Sequence, residues 1–570
     1  MASLVKKIKQ GKAYYYVVES ARVDGKPRIV KQTYLGTVEA ILKAHQQQVA
    51  PVAQEVQLTH FGPMALWDLA VSLNLPEMID ATFPKREQGP TMSQFILLAA
   101  IGRAFAPCSK VKIGQLYEKT SLLQHWGHKG SAFTSQRFWE AMDRIELEHL
   151  TKLEQQISLH IARQEKLSIK ALLYDCTNYF TYIDTQNKRN GQAQRGHNKQ
   201  GRHDLKQLGL AVAVTPDFHI PLFHNLYPGN INDITEFYAI FDSLVDRFSE
   251  LSSNGKELTL ILDRGNMSEG SLFLLQQKEI AVIAAASIHN HPELQNINLE
   301  QFQEVDRENL PGVTAHRSKK EIAGYEWTMV MEYSTSLAVK QQQVLVCEQA
   351  KAIAKLEELS NQLRQHLLPK ATITSIKEKV AQILKAQHLK KIINTFVELK
   401  NDYPTLSYSL NHTNLQQILN NIFGRHLLIT NRHNWSSCEI IMGYRGQFEV
   451  ERFFQESKDT DYLSFQPPYH WTDQKLHIHA FYCVLALALI GVLRRRLSLQ
   501  GVVLPTNRLL EQLHALQEAT LLYPSSQSNS PRLSYCVVRP TEIQKDLIKL
   551  LDLSKHIHQQ NPNSSTLVSE

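Results

Sequence analysis

The chain is poor in cysteine. Its six cysteines, at positions 108, 176, 347, 438, 483 and 536, are scattered singly and never form a CxxC pair. That excludes a zinc site built from clustered thiolates and suits a reducing compartment. No apolar run reaches the ~20 residues that span a bilayer. The longest, AFYCVLALALIGVL at 480–493, reads as a buried core helix. Arg494, Arg495 and Arg496 follow it, where the helix dipole favours cations. The first twenty residues are basic but carry no continuous apolar stretch. No secretory signal and no membrane partner are therefore expected, and the chain is assigned to the cytoplasm. No repeat recurs at solenoid or propeller spacing. Neither charge sign dominates: 62 Lys and Arg face 55 Asp and Glu, a net +7 that permits a polyanion partner without demanding one. What remains is an ordinary globular composition, 43% hydrophobic, in 570 residues. That length predicts roughly three to five folding units.

Residues 1–45 read as a basic β-hairpin module. An aromatic and β-branched run at 14–18 and a second strand at 27–34 flank the Asp24-Gly25 turn signal, amid eight Lys and Arg. Such a surface suits phosphate contact, with a solvated charged hairpin as the alternative. Residues 46–165 carry 3.6-residue apolar spacing in four segments, with Ser93 and Ser109 as candidate N-caps, and read as an all-helical DNA-binding domain. Residues 166–290 switch to α/β character. Strands are expected at 167–176, 179–183, 208–215, 258–262 and 281–287, and helices at 233–248 and 268–278. The loop NKRNGQAQRGHNKQGRHDLK carries Lys188, Arg189, Arg195, Lys199, Arg202 and Lys206 against Asp204 alone, a charge pattern that could grip a nucleic-acid backbone. His197 and His203 lie in the same loop. Residues 291–424 read as an insertion, β-rich at 313–347 and then a long charged helical region to about 399. Residues 425–500 return to the core with a strand at 426–431 and two helices. Residues 501–570 thin into a Ser/Asn/Gln-rich tail whose end is expected to be disordered.

Three acids stand out. Asp175 and Asp263 each follow an apolar strand-like run, ALLY and LTLIL, where α/β sheets present ligand chemistry. Glu451 lies on a helix read through YRGQFEVERFFQESK, on one face with Phe454 or Gln455 and Lys458. Any one such residue is more often a polar strand end or a solvated helix face. Together, three carboxylates suit Mg²⁺ or Mn²⁺, two of which can clamp the attacking and leaving oxygens of a phosphodiester.

Tyr444, Glu451 and Lys458 have the spacing of the tyrosine–arginine–glutamate–lysine signature of bacterial insertion-sequence DDE transposases, which this chain resembles. Gln447 stands where that signature has its arginine, with Arg445 nearby. Segments 195–212, 227–235, 262–270 and 426–431, and Tyr34-Leu35-Gly36 near the start, resemble the group in the expected order. The resemblance implies an RNase H-like mixed-sheet core with a β-rich plus helical insertion. Members with a long interval between the second Asp and the Glu carry that insertion there; here the interval is 188 residues. It also implies Asp175, Asp263 and Glu451 as catalytic metal ligands for two Mg²⁺ or Mn²⁺ ions. Tyr444, Arg445, Gln447 and Lys458 would then contact DNA, joined by Arg195, Lys199 and Arg202 of the basic loop. The implied partners are double-stranded element ends and target DNA, bound by a homodimer or larger assembly near the nucleoid. The alternatives are a structure-selective nuclease on the same core and a catalytically dead DNA-binding derivative. Trp327 and Trp435 are read as packing residues rather than base-stacking platforms.

Overall fold

The computed structural model describes residues 2–23, 26–47, 55–85, 88–167, 169–184, 186–187, 189–197, 201–251, 258–523 and 532–558. They divide into two compact units, one of Met1–His149, Asp459–Ser464 and Leu485–Glu570, the other of Leu150–Lys458 and Phe465–Val484.

The second unit is mixed α/β, built on a nine-stranded sheet. Its strands are β1 (Ala171–Thr181), β2 (Lys206–Val214), β3 (Pro221–Pro228), β4 (Thr259–Leu262), β5 (Ala281–Ala286), β6 (Gln303–Glu304), β7 (Val313–Ile322), β8 (Tyr325–Ser334) and β9 (Arg425–Thr430), in spatial order β6-β7-β8-β9-β5-β4-β1-β2-β3. β1, β2 and β3 are antiparallel neighbours, and β4 and β5 run parallel to β1. A parallel return needs a crossover. Helix α1 (Asp233–Leu251) supplies the one into β4, and α2 (Glu269–Gln277) the one into β5. Every residue of β2, β4 and β5 is buried, which is why these strands read as continuous apolar runs rather than alternating ones.

Two expectations from the sequence change. The strands expected at 167–176 and 179–183 are one strand, because Cys176, Thr177 and Asn178 continue the ladder with Ala211, Leu210 and Gly209. The β-rich part of the expected insertion belongs to the core sheet. β8 is buried on both faces from Trp327 to Glu332 and pairs with β9, so the sheet extends through it. Residues 335–424 alone surround a separate apolar cluster that includes Leu356, Ile376, Ile392 and Phe423. They open with helix α3 (Thr335–Arg364). Two shorter helices, Ile373–Ile383 and Leu389–Ile392, carry the expected helical region to 392, after which Ile393–Lys400 pairs with Tyr403–Leu410 instead of continuing it. Asn401 and Asp402 both take positive φ in the two-residue turn, a conformation Asn and Asp tolerate.

The first unit opens with three antiparallel strands, Ala2–Lys9, Lys12–Val23 and Lys26–Gly36, rather than a two-stranded hairpin. Gln10 and Gly11, both at positive φ, make the extra turn; Asp24-Gly25 lies outside the described residues. Helices follow, including Met92–Phe105, which is capped by Thr91 with Gln94 rather than by Ser93. Ser93 instead bonds the Asp80 carboxylate through its backbone N–H and its hydroxyl, both at 2.7 Å. The region expected as a tail is ordered through most of its length. Gln517–Tyr523 pairs with both Glu55–His60 and Arg532–Val537, and helix Glu542–Leu550 follows under a Thr541 capping box. Its apolar residues, spaced among Ser and Gln, bury Leu509, Leu510, Leu513 and Leu547. The expected disorder of the extreme end falls on 559–570, outside the described residues. Helix Asp473–Leu499 is long and apolar enough to cross a membrane, but its apolar window is 94% buried inside the protein, as in a core helix.

Candidate active site

The register of two parallel strands brings Asp175 and Asp263 side by side. β1 and β4 pair from Ala171↔Thr259 to Tyr174↔Leu262, and the two aspartates each come one residue after that last pair. They therefore share a height and a face of the sheet. Asp263 is the residue at which β4 gives way to a short 3₁₀ turn, Arg264–Asn266. Asp175 lies within β1, where the parallel ladder has ended but the antiparallel one continues. Asn266 Nδ2 donates to Asp175 Oδ1 at 3.3 Å, so the turn after one aspartate orients the other.

Glu451 comes from a helix packed against β1. The single helix expected through 444–458 is two: α4 (Ser437–Arg445) and α5 (Phe448–Lys458). The break at Gly446-Gln447 is closed by tight bonds from Gln447 N–H to Tyr444 O and Glu449 N–H to Gly446 O. α5 is clamped by a residue that sequence reasoning missed. Buried His219 faces Glu449 Oε2 with Nδ1 and Glu456 Oε2 with Nε2, each at 3.1 Å. Those glutamates are seven residues apart on one helix face; Glu451, two residues past the first, points away from them. Nothing local in the sequence signals this contact.

The Tyr444 hydroxyl donates to Asp263 Oδ1 at 3.1 Å. Burial pushes its phenol well above the usual range, and the nearby charges of Asp263, Asp175 and Glu451 push further the same way, so it remains a protonated donor. One tyrosine thus stands within electrostatic reach of all three acids. Asp263, Tyr444 and Glu451 line a cavity of about 340 Å³ together with Glu332, Arg445 and His426. Glu332 is a fourth carboxylate the sequence did not single out; it ends the buried run of β8 and pairs with Arg445. Burial raises its carboxyl, but hydrogen bonds and charge from His426 and Arg445 outweigh that and hold it below the ordinary value.

The expected DNA-contacting residues divide. Gln447 is largely buried and lines the cleft of Glu451, while its Nε2 donates to Tyr174 O at 3.2 Å. Arg445 spends its charge on Glu332. Lys458 donates from Nζ to Thr177 Oγ1 at 2.6 Å and lies over the Tyr179 ring, on the strand and face of Asp175. Arg202 makes a bidentate pair with Asp204, both bonds at 3.0 Å, while Arg195 contacts a backbone carbonyl of that loop, at 3.4 Å. Lys199 lies outside the described residues. Trp327 is fully buried, and Trp435 stacks under Arg432 at 5.3 Å.

Among the described residues no three His, Cys, Asp or Glu side chains are gathered closely enough to hold a metal ion as they stand. The donor set still has the chemistry of a hard cation's site. Asp175, Asp263 and Glu451 are accompanied by the buried oxygens Asn266 Oδ1 and Gln447 Oε1, neither with a hydrogen-bond partner among the described residues. Every one of these donors is oxygen, which suits Mg²⁺ or Mn²⁺.

No family model and no curated protein sequence matches the chain. Among solved structures, a cryo-EM synaptic complex of piggyBac transposase with hairpin DNA overlaps it with a TM-score of 0.35 at 8% identity, covering 79% of each chain, a likeness too loose to bear on function.

Proposed function

We propose that the chain is a DNA transposase of an insertion sequence, which cleaves at its element's ends and joins the freed strands to target DNA. The observation that supports this reading is the pairing of Asp175 and Asp263 by strand register, with Tyr444 bonded to Asp263 and lining one cavity with Asp263 and Glu451. Three antiparallel strands followed by two parallel ones, in order β3-β2-β1-β4-β5, support the RNase H-like core. Asp175, Asp263 and Glu451 would hold the divalent ions, which when bound supply a water of lowered pKa and neutralise charge on the phosphate. The chain's own side chains do the positioning. Tyr444 holds Asp263, Asn266 holds Asp175, and the His219 clamp sets the helix of Glu451. Lys458 and Arg195 offer cations for DNA phosphates. Simultaneous action on two ends would take at least a dimer.

The test uses a duplex carrying the DNA that flanks the gene. Asp175→Asn, Asp263→Asn and Glu451→Gln should each abolish Mg²⁺-dependent cleavage and joining, while binding persists and weakens steeply with salt. Full activity in any one variant sinks the triad. Wild-type cleavage without joining would favour the structure-selective nuclease. Binding without any cleavage would favour a DNA-binding derivative.

A further inference from the structure

We propose that a second cavity, in the unit with the nine-stranded sheet, binds a nucleoside monophosphate. The cavity, about 490 Å³, lies between the start of α3, the turn at His388 and the ends of β5 and β9. That volume falls within the ~300–1,000 Å³ of small-molecule sites. Ile288, Leu337, Leu345, Ile422, Phe423 and Leu427 give it an apolar lining. The His388 ring stands edge-on to Phe423 with centroids 5.6 Å apart. Burial, with the charges of Lys391 and His289, lowers the pKa of His388 and leaves a neutral imidazole able to donate or accept.

The cations on its lining are not answered by acids. Arg264 and Lys340 are exposed and make no ion pair among the described residues. Arg425 is buried and donates to the backbone carbonyls of Gln295, Ile297 and Asn420, not to a carboxylate. The one acid lining the cavity, Glu348, is paired with Lys351 at 2.8 Å. An apolar pocket with uncompensated Arg and Lys selects a ligand that joins an anion to a flat apolar body. A phosphate would meet Arg264 and Lys340, and a base would lie against the lining and the imidazole. The nucleotide could be free or the terminal unit of a DNA strand. The second source has a route, since Arg264 directly follows Asp263, and Leu337 and His426 line both this cavity and the cleft of Glu451.

The test is calorimetric titration of the full chain with dAMP, TMP, inorganic phosphate and a duplex bearing a one-nucleotide 5′-phosphorylated overhang. Binding is read without cleavage, so the result stands apart from the transposase reading. At least one nucleotide ligand should bind saturably, with inorganic phosphate at least ten-fold weaker. Lys340→Glu should weaken binding at least ten-fold. Val344→Trp, at an exposed position on the cavity wall, should block it without lowering the melting temperature. Lys355→Glu, further along the same helix, should leave it unchanged. Competition between the overhang and dAMP assigns the site to a strand end; dAMP binding without competition assigns it to a free nucleotide. No saturable binding of any nucleotide ligand, or binding that survives both Lys340→Glu and Val344→Trp in folded protein, overturns the proposal.

Discussion

Glu332→Gln separates the charge of the cleft's fourth carboxylate from its shape. The Glu332 side chain is 8% exposed, while its partners Arg445 and His426 are 41% and 34% exposed. A hydrogen bond to a charged group contributes ~1.5–3 kcal/mol, and solvent around a half-exposed partner moves the value toward the lower end, about 2 kcal/mol. The His426 contact, at 3.9 Å, acts in the same direction. An unfolding entropy of ~2.1 cal/mol/K per residue, over the roughly 330 residues of this unit, turns that into a drop in melting temperature of about 3 °C. The pH dependence has a definite sign. The folded-state pKa of Glu332 lies below its ordinary value, so its contribution is complete above the unfolded value of ~4.3 and is lost as pH falls through the lower folded value. Melting followed by circular dichroism at pH 7, 5 and 3.5 should show the full gap between wild type and variant at the first two and a narrowing gap at the last. A gap below about 1 °C at pH 7, or one that widens on acidification, would refute the pairing and the sign.

Two further substitutions probe the frame around the site. Glu154→Gln should cost about 3–5 kcal/mol, because buried Arg247 donates to Glu154 Oε2 at 2.7 Å and would lose that carboxylate's charge. The double variant Glu154→Leu/Arg247→Met should recover most of that loss in the same melting assay, and a double variant no more stable than the single would count against the ion pair. Gly209→Ala should cost up to about 3 kcal/mol, since a Cβ there would overlap the ring of buried Tyr227. Unchanged melting would mean that the ring can move aside.

Parts of the site could be read along the chain because the physics there is local. LTLIL is an apolar strand ended by an aspartate, and the structure ends β4 at Leu262. Asp175 was harder. Its strand does not end beside it, and only the change of ladder, parallel on one side and antiparallel on the other, marks the position. Motif spacing said nothing of the burial of Gln447, whose amide the helix break turns onto the Tyr174 carbonyl. Glu332 and His219 carried no signal at all, since their partners lie more than 90 and 200 residues away in sequence, respectively.

Local pattern along the chain was enough to set the elements with strong periodicity: the all-buried strands, the apolar helix Asp473–Leu499 and the acids at polarity changes. Tertiary pairing alone selected which strand neighbours which, made β7 and β8 extend the core sheet, and set the strands of the last segment beside Glu55–His60. Those outcomes rest on pairing and burial between distant segments, where many partners satisfy the same local pattern and the whole chain's packing selects one.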